Sequence, residues 1–271
     1  MSDIDKAFTG SIAEVYETYF VPLIFAPYAR DLAPRVAAGS PRRILEIAAG
    51  TGVVTRALRE LLPPSAEIVA TDLNQAMLDV AAKTITSGGR VEWRQADAMA
   101  LPFEDASFDA VVCQFGVMFF PDKAKAYAET RRVLRPGGTF HFNVWDRIAD
   151  NEFTDVVTEA LATIFPADPP RFMARTPHGY HDIAAIARDL RAGGFDKAAK
   201  IETIAERSRA PTARQVAIAI CTGSPLRSEI EARAPGKLEN AVQVSTAELE
   251  RRYGAGPVDG KIQAHVVAVA R

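Results

Sequence analysis

Hydrophobic residues follow two alternating patterns along residues 42–146 of this 271-residue chain. Short, almost continuous apolar runs are typical of strands that are covered on both faces of a sheet. They predict strands at 43–48, 67–71, 91–95, 110–115 and 139–144. The amphipathic stretches between them have helical spacing and predict helices at 53–62, 75–85 and 124–134. This alternation predicts the doubly wound α/β class, a parallel sheet with helices on both faces.

The flanking segments have a less regular pattern. Residues 13–36 have helical spacing but contain Pro22 and Pro27, so we expect two or three helical pieces there. After residue 146 we expect helices at 151–165, 182–192, 213–221 and 237–253, and strands at 200–206 and 261–270. The long connection between the last two strands normally has a structure or a task of its own. We therefore interpret the flanking segments as helical cap insertions over the strand ends.

These patterns divide the chain into three parts. Residues 1–41 are expected to form an N-terminal helical arm, and residues 42–146 the α/β core. Residues 147–271 are expected to supply lid helices and strands six and seven, with a helical insertion at 208–260. A chain of this length can bury a full core with a cap above it.

Composition excludes several classes of function. The net charge of −2 argues against a nucleic-acid partner. No stretch approaches the roughly twenty apolar residues that would span a bilayer, so we expect no membrane insertion. Residues 1–5 are acidic and polar, unlike a secretory signal, which predicts a cytoplasmic protein. Cys113 and Cys221 have no metal-ligand spacing, so we expect no metal, and Cys113 is expected to be a buried free thiol.

A glycine turn follows the first strand and carries the clearest chemistry. It has the pattern E-x-A-x-G-x-G-x-x-T, from Glu46 through Gly50 and Gly52 to Thr55. Glycine permits positive φ and close approach of a ligand. Asp72 ends the next strand, at a spacing that suits a carboxylate bound to ribose hydroxyls. A pyrophosphate needs bare backbone at a helix N-terminus, whereas an amino-acid tail needs a carboxylate for its ammonium, so Glu46 favours the second ligand.

With these residues the chain resembles the class I S-adenosylmethionine methyltransferases, and most closely the small-molecule branch typified by ubiquinone/menaquinone methyltransferases. The resemblance covers residues 42–146. Besides the glycine turn it includes four pieces in order: Ala70-Thr71-Asp72-Leu73-Asn74, Gln95-Ala96-Asp97-Ala98, Cys113-Gln114-Phe115-Gly116 and Leu134-Arg135-Pro136-Gly137-Gly138-Thr139. It implies a seven-stranded Rossmann-like fold, S-adenosylmethionine as the cofactor and S-adenosylhomocysteine as the product.

The resemblance also implies a set of cofactor-binding residues. Asp72 is expected to bind the ribose, Asp97 with Ala98 the adenine amino group, and Gln114 the methionine moiety or the substrate. Leu73 and Met77 are expected to be partly core and partly adenine wall. The full set is Glu46, Ala48, Gly50, Gly52, Asp72, Leu73, Met77, Asp97, Ala98 and Gln114.

Catalytic residues are harder to identify, because methyl transfer depends mainly on proximity and orientation. A general base assists when the acceptor is a hydroxyl or phenol. The candidates are Tyr19, His178 and His181, although loop histidines are more often surface residues, and His141 is expected to be a packed strand residue. The aromatic residues of the arm and of 115–120 shape either a substrate pocket or a packing face. Tyr16 or Tyr19 could contact the sulfonium methyl by a cation–π interaction.

The expected function is methyl transfer from S-adenosylmethionine to a small, fairly apolar molecule, with O- or C-methylation favoured by analogy. One alternative is a nicotinamide-dependent oxidoreductase, which shares the βαβ unit; Thr55 in place of the third glycine argues against it. The other alternative is a non-catalytic S-adenosylmethionine-binding protein. The sequence leaves the substrate, the acceptor atom and the oligomeric state open.

Overall fold

The computed structural model describes residues 11–85 and 91–271 and contains a seven-stranded sheet. Its strands are β1 (Arg43–Ile47), β2 (Glu67–Asp72), β3 (Val91–Gln95), β4 (Phe108–Gln114), β5 (Leu134–Trp145), β6 (Lys200–Ala210) and β7 (Val258–Ala270). They lie in the order β3-β2-β1-β4-β5-β7-β6. Neighbours from β3 to β5 are parallel, whereas β7 is antiparallel to both β5 and β6. The predicted doubly wound, mostly parallel sheet of seven strands is confirmed.

The helices cover both faces of the sheet and its carboxyl edge. They are α1 (Ser11–Val15), α2 (Ala26–Ala37), α3 (Val53–Leu61), α4 (Gln75–Thr84), α5 (Lys123–Val133), α6 (Glu152–Ile164), α7 (Phe172–Arg175), α8 (Ile183–Ala192), α9 (Ala213–Thr222), α10 (Leu226–Arg233) and α11 (Leu238–Tyr253). The core helices and strands begin and end close to the predicted residues, except that β5 begins at Leu134 rather than at 139. Helices α7 and α10 were not predicted.

Alternate residues of the central strands pack into two separate apolar clusters. Leu45 and Val111 belong to the cluster on one face of the sheet, and Ile44 and Val112 to the cluster on the other. Side chains of a strand alternate between faces, so a strand that is buried on both faces must be apolar throughout. The continuous apolar runs therefore reflect the double layer of helices.

The arm forms three helical segments that follow one another without a loop. A π-helical segment, Tyr16–Phe25, joins α1 to α2. Pro22 lies inside this segment, and Pro27 lies in the first turn of α2, where a missing N–H is tolerated. The three segments agree with the expectation of two or three pieces, but the prolines do not interrupt the helical path. Residues 1–10 of the predicted arm, and the signal argument that rests on residues 1–5, lie outside the described residues.

The chain after residue 146 adds further helices and the last two strands. Helices α9 to α11 connect β6 to β7. Strand β6 begins at the predicted residue but ends at Ala210 rather than 206, and β7 begins at Val258 rather than 261 and ends as predicted. Helix α9 packs against the π-helical segment and against α11, and α11 packs against α6. Cys113 and Cys221 are buried free thiols. In the part of the chain that the structure describes, no helix is both long and apolar enough to cross a membrane.

Candidate active site

A cleft opens at the carboxyl ends of β1, β2, β4 and β5, where ligands bind in open α/β sheets. Its empty volume is about 1120 Å³, including the part that is open to solvent. One half, here called the cofactor half, is lined by Ala48, Gly50, Asp72, Leu73, Asn74, Met77, Ala96, Asp97, Ala98 and Met99. The other, here called the aromatic half, is lined mainly by Phe20, Ile24, Phe25, Phe115, Phe119, Phe120, Trp145, Phe172 and Met173.

Gly50 and Asp72 form the floor of the cofactor half. The buried Asp72 carboxylate accepts hydrogen bonds from Gly50 N at 2.9 Å and from Asn74 N at 2.8 Å. Gly50 has a φ of +56°, and a Cβ there would lie 3.7 Å from the Tyr16 hydroxyl oxygen. Desolvation raises the pKa of Asp72, while these backbone donors stabilise its ionised form. The floor thus presents a carboxylate beside bare backbone.

Asp97 and Ala98 border the opposite side of the cofactor half. Asp97 is exposed, and its Oδ1 accepts a hydrogen bond from Met99 N at 2.9 Å, which fixes the turn after β3. Ala98 is buried and leaves the cleft open above it. Met77 is buried and Leu73 is 44% exposed, and both line the cleft. The arrangement suits a flat group between apolar walls with a polar edge at Asp97.

Glu46 and Gly52, two of the expected cofactor-binding residues, do not line the cleft. The buried Glu46 carboxyl accepts a hydrogen bond from Thr55 Oγ1 at 2.5 Å, and burial raises its pKa to about 8. Gly52 has a φ of +83°, and a Cβ there would lie 3.0 Å from Trp93 Cη2. The Glu46–Thr55 hydrogen bond joins the end of β1 to α3, and Gly52 is part of the turn between them. Thr55, which replaces the third glycine of a dinucleotide fingerprint, is the partner of Glu46.

The π-helical segment forms a wall across both halves of the cleft. Tyr16, Phe20 and Phe25 contact one another, with ring centroids between 4.9 and 5.9 Å apart. All three line the cleft, Tyr16 beside Gly50 and Phe25 beside the aromatic half. Desolvation, together with the nearby Asp72 carboxylate, raises the pKa of Tyr16 far above its usual value, so its phenol stays protonated.

Stacked rings form the base of the aromatic half. Phe115 and Trp145 are parallel within 4°, with centroids 3.7 Å apart. Gln114 lies where the two halves meet; its Nε2 donates to Phe25 O at 3.2 Å, and its buried Oε1 has no hydrogen-bond partner among the described residues. The charged side chains among the described lining residues, Asp72 and Asp97, belong to the cofactor half. The aromatic half is therefore a chamber for an uncharged group.

The catalytic candidates Tyr19, His178 and His181 do not line the cleft. His178 is buried, its Nδ1–H donates to Asp146 O at 2.8 Å, and burial lowers its pKa to about 4. His181 is half-buried, and its Nδ1–H donates to His178 O at 2.8 Å. The expectation that these histidines lie on the surface fails for His178, because the loop that carries it folds under Trp145. His178 thus packs beside Trp145, which lines the cleft, and His181 contacts His178.

Several lining residues were missed from the sequence, notably Trp145, Phe172, Met173 and Ser224. Trp145 ends β5, so the position of the strand end could have identified it. The other three lie on cap segments whose packing no local pattern predicts. Within residues 11–85 and 91–271, no three His, Cys, Asp or Glu side chains gather as a metal site.

Comparison with known proteins connects this geometry to a family. Residues 45–142 match the family model described as "Methyltransferase domain". The ubiquinone/menaquinone biosynthesis C-methyltransferase UbiE of Hahella chejuensis is 44% identical over 98 residues, which are 35% of this chain and 39% of that protein. The demethylmenaquinone methyltransferase of Thermus thermophilus is 45% identical over 100 residues, 36% of this chain and 45% of that protein. The match thus spans less than half the length of these relatives.

Solved structures extend the likeness of the fold over most of the chain. The structure of a putative methyltransferase from Bacillus halodurans aligns with a TM-score of 0.57 at 18% identity, and it covers 89% of this chain and 97% of that one. At this identity the likeness concerns the fold alone. Residues 45–142 therefore match the methyltransferase-domain family, and the chain has the Rossmann-like fold of solved methyltransferase structures.

Proposed function

We propose that the protein transfers a methyl group from S-adenosylmethionine to a small, planar, fairly apolar acceptor, at an oxygen or carbon atom. The observation that carries this proposal is the division of one cleft into a polar cofactor half and an uncharged aromatic half. The two halves meet beside Gln114 and Phe115, at the end of the central strand β4. A donor and an acceptor bound in these halves meet at this point.

The residues of the cofactor half fit S-adenosylmethionine. Asp72 Oδ1 accepts hydrogen bonds from the backbone and side-chain nitrogens of Asn74, whereas Oδ2 accepts one bond, from Gly50 N, and has a second lone pair that suits a ribose hydroxyl. Gly50 lacks the Cβ that would fill the space beside Tyr16 and Met77. Asp97 and Ala98 would contact the adenine, between the side chains of Leu73 and Met77. When bound, S-adenosylmethionine supplies an electrophilic methyl group on its sulfonium.

The aromatic half supports an acceptor that needs no strong base. The described part of its wall contains neither a histidine nor a carboxylate, so an electron-rich carbon or an easily ionised oxygen is the best match. The relatives named above are quinone-pathway methyltransferases, one of them a C-methyltransferase by name, and this agrees with a flat acceptor. The chain's own contribution is to orient this acceptor against Phe115 and Trp145 and to exclude water.

In this proposal three segments act as a cap: the arm, residues 147–181 and the insertion 208–260. Tyr16, Phe172 and Ser224 come from these three segments, and all three line the cleft. Loops and lids that carry such residues commonly close over bound ligands. Closure of the cap would exclude water from the point where the two halves meet.

Titration calorimetry with S-adenosylhomocysteine and, separately, with NAD⁺ tests the cofactor. We expect binding of S-adenosylhomocysteine alone; binding of NAD⁺ alone would favour the oxidoreductase. Transfer of a labelled methyl group to members of a library of uncharged phenols and naphthols, with charged analogues as controls, tests the reaction. Binding of S-adenosylhomocysteine without transfer to any apolar acceptor would favour a non-catalytic binding protein.

A further inference from the structure

One arginine connects three segments around the cofactor half. Arg56 lies on α3, and its Nη1 donates to Thr51 O at 2.8 Å and to Thr84 Oγ1 at 2.8 Å. Its Nη2 lies 2.9 Å from Glu17 Oε1, at the start of the π-helical segment. A single guanidinium therefore joins the glycine turn, α4 and the arm.

Glu17 depends on this arginine for its charge compensation. Its Oε2 is buried and has no hydrogen-bond partner in residues 11–85 and 91–271, and Arg56 is its ion-pair partner there. The two side chains are 24% and 27% exposed, so water screens the pair only in part. Without Arg56, a largely enclosed carboxylate would be left without a cation, which disfavours this position of the arm.

Tyr16, the residue next to Glu17, is the one that reaches the cofactor half. Its hydroxyl oxygen lies 3.7 Å from the position that a Cβ on Gly50 would occupy. Its ring stacks on Phe25 with centroids 4.9 Å apart, so the ring also connects to the aromatic half. The ion pair thus anchors the arm one residue away from the ring that borders the proposed cofactor.

We propose that Arg56 is a positioning residue for the cofactor: through its ion pair with Glu17 it holds the Tyr16 ring over the cofactor half, which makes the arm part of the cofactor site. This inference rests on the proposed function. Arg56 itself does not line the cleft, so it acts through Tyr16.

A double-mutant cycle on S-adenosylhomocysteine affinity, measured by calorimetry at low salt, tests this. Glu17→Gln and Arg56→Gln should each weaken binding about fivefold, the effect of losing an ion pair of this exposure. Tyr16→Ala should weaken binding about tenfold. In the Tyr16→Ala background, Arg56→Gln should cause no further loss. Arg56→Lys, which keeps the charge, should recover most of the wild-type affinity.

The controls separate this role from a purely structural one. Arg135→Gln breaks an ion pair with Asp109 at the amino end of β4, the opposite edge of the sheet from the cleft, and should leave affinity unchanged. If thermal denaturation shows that Arg56→Gln does not fold, Glu17→Gln replaces it in the cycle with Tyr16→Ala. If the affinity losses of Tyr16→Ala and Arg56→Gln add up in the folded double variant, Arg56 acts only on the glycine turn, through Thr51. This result would overturn the inference but not the proposed methyl transfer. A wild-type protein that does not bind S-adenosylhomocysteine would overturn both.

Discussion

The Asp72 carboxylate accepts a hydrogen bond from the backbone N–H of Gly50 at 2.9 Å, which joins the end of β2 to the glycine turn after β1. The two residues are 22 positions apart in the sequence. Parallel pairing of β1 with β2 brings both to the same edge of the sheet. This contact positions the turn, and the buried Asp72 carboxylate faces the cleft. Asp72 therefore contributes both to the shape of the cofactor half and to its chemistry.

Replacement of this carboxylate should weaken cofactor binding. Asp72→Asn keeps the size of the side chain but removes its charge and one acceptor oxygen. Since a hydrogen bond to a charged group contributes about 1.5–3 kcal/mol, S-adenosylhomocysteine affinity should fall at least about tenfold. Calorimetry on folded protein measures this, with Asp79→Asn, an exposed residue of α4, as the matched control. Equal affinities of the Asp72 and Asp79 variants would refute the ribose assignment.

The two glycines of the turn should respond differently to alanine. Both have positive φ, so both variants carry backbone strain of about 1–2 kcal/mol. Gly52→Ala also places a Cβ 3.0 Å from Trp93 Cη2, so its melting temperature should fall further than that of Gly50→Ala. Gly50→Ala should instead lose cofactor affinity, by about tenfold, because Gly50 lines the cleft. The opposite pattern, with binding lost mainly in Gly52→Ala, would place the ligand on the other side of the turn.

The aromatic half should determine acceptor selectivity without affecting the cofactor. Phe119→Leu removes a half-buried ring from this chamber and should lower kcat/KM for a flat acceptor about tenfold, while S-adenosylhomocysteine affinity stays within twofold. Phe103→Leu, a half-buried phenylalanine outside the cleft, is the matched control. If Phe119→Leu lowers cofactor affinity together with turnover while Phe103→Leu changes neither, the two halves are not separate sites.

Glu46 should make the stability of the fold depend on pH. Its pKa is raised from an ordinary value of 4.5 to about 8 by burial. Between these values the unfolded chain releases the proton and the native protein retains it, so rising pH lowers the free energy of unfolding by about 1.4 kcal/mol per pH unit from this group. Glu46→Gln removes the dependence while keeping an acceptor for Thr55.

Chemical denaturation of the wild type and Glu46→Gln at pH 5, 6.5 and 8 checks this prediction. The stability of the variant relative to the wild type should increase from pH 5 to pH 6.5 and again from pH 6.5 to pH 8. A difference that is the same at all three pH values would mean that Glu46 is ionised in the native protein.

Most of the helices and strands of the fold could be predicted from local sequence patterns. Continuous apolar runs identified strands that are buried on both faces, and Gly50 and Asp72 could be placed at the edge of the sheet because parallel strands end there together. Trp145 lies at the same edge by the same rule, but its role depends on stacking against Phe115, a contact between different strands. Local pattern indicates where a residue lies, and only the packing of the tertiary structure shows which side chain it meets.

Some residues could not be placed from the sequence, because contacts between distant segments of the chain determine their positions. Pro22 was expected to interrupt the arm, yet a π-helical segment carries the chain past it because the buried aromatic side chains hold that segment against the cleft. His178 belongs to a polar loop, yet its side chain is buried, where the ring donates to Asp146 O and packs beside Trp145. Glu46 has the position of a ligand in the motif, but its nearest partner is Thr55, one turn into α3.

The most direct test of this account is a crystal structure of the protein soaked with S-adenosylhomocysteine. We predict density for the ribose at Asp72, for the adenine beside Asp97 and Ala98, and for the sulfur where the cofactor half meets the aromatic half, near Gln114 and Phe115. The Tyr16 ring should lie against the bound ligand. Density in another part of the molecule, or a sulfur that points away from Phe115, would contradict the proposal that this cleft transfers a methyl group to an acceptor in the aromatic half.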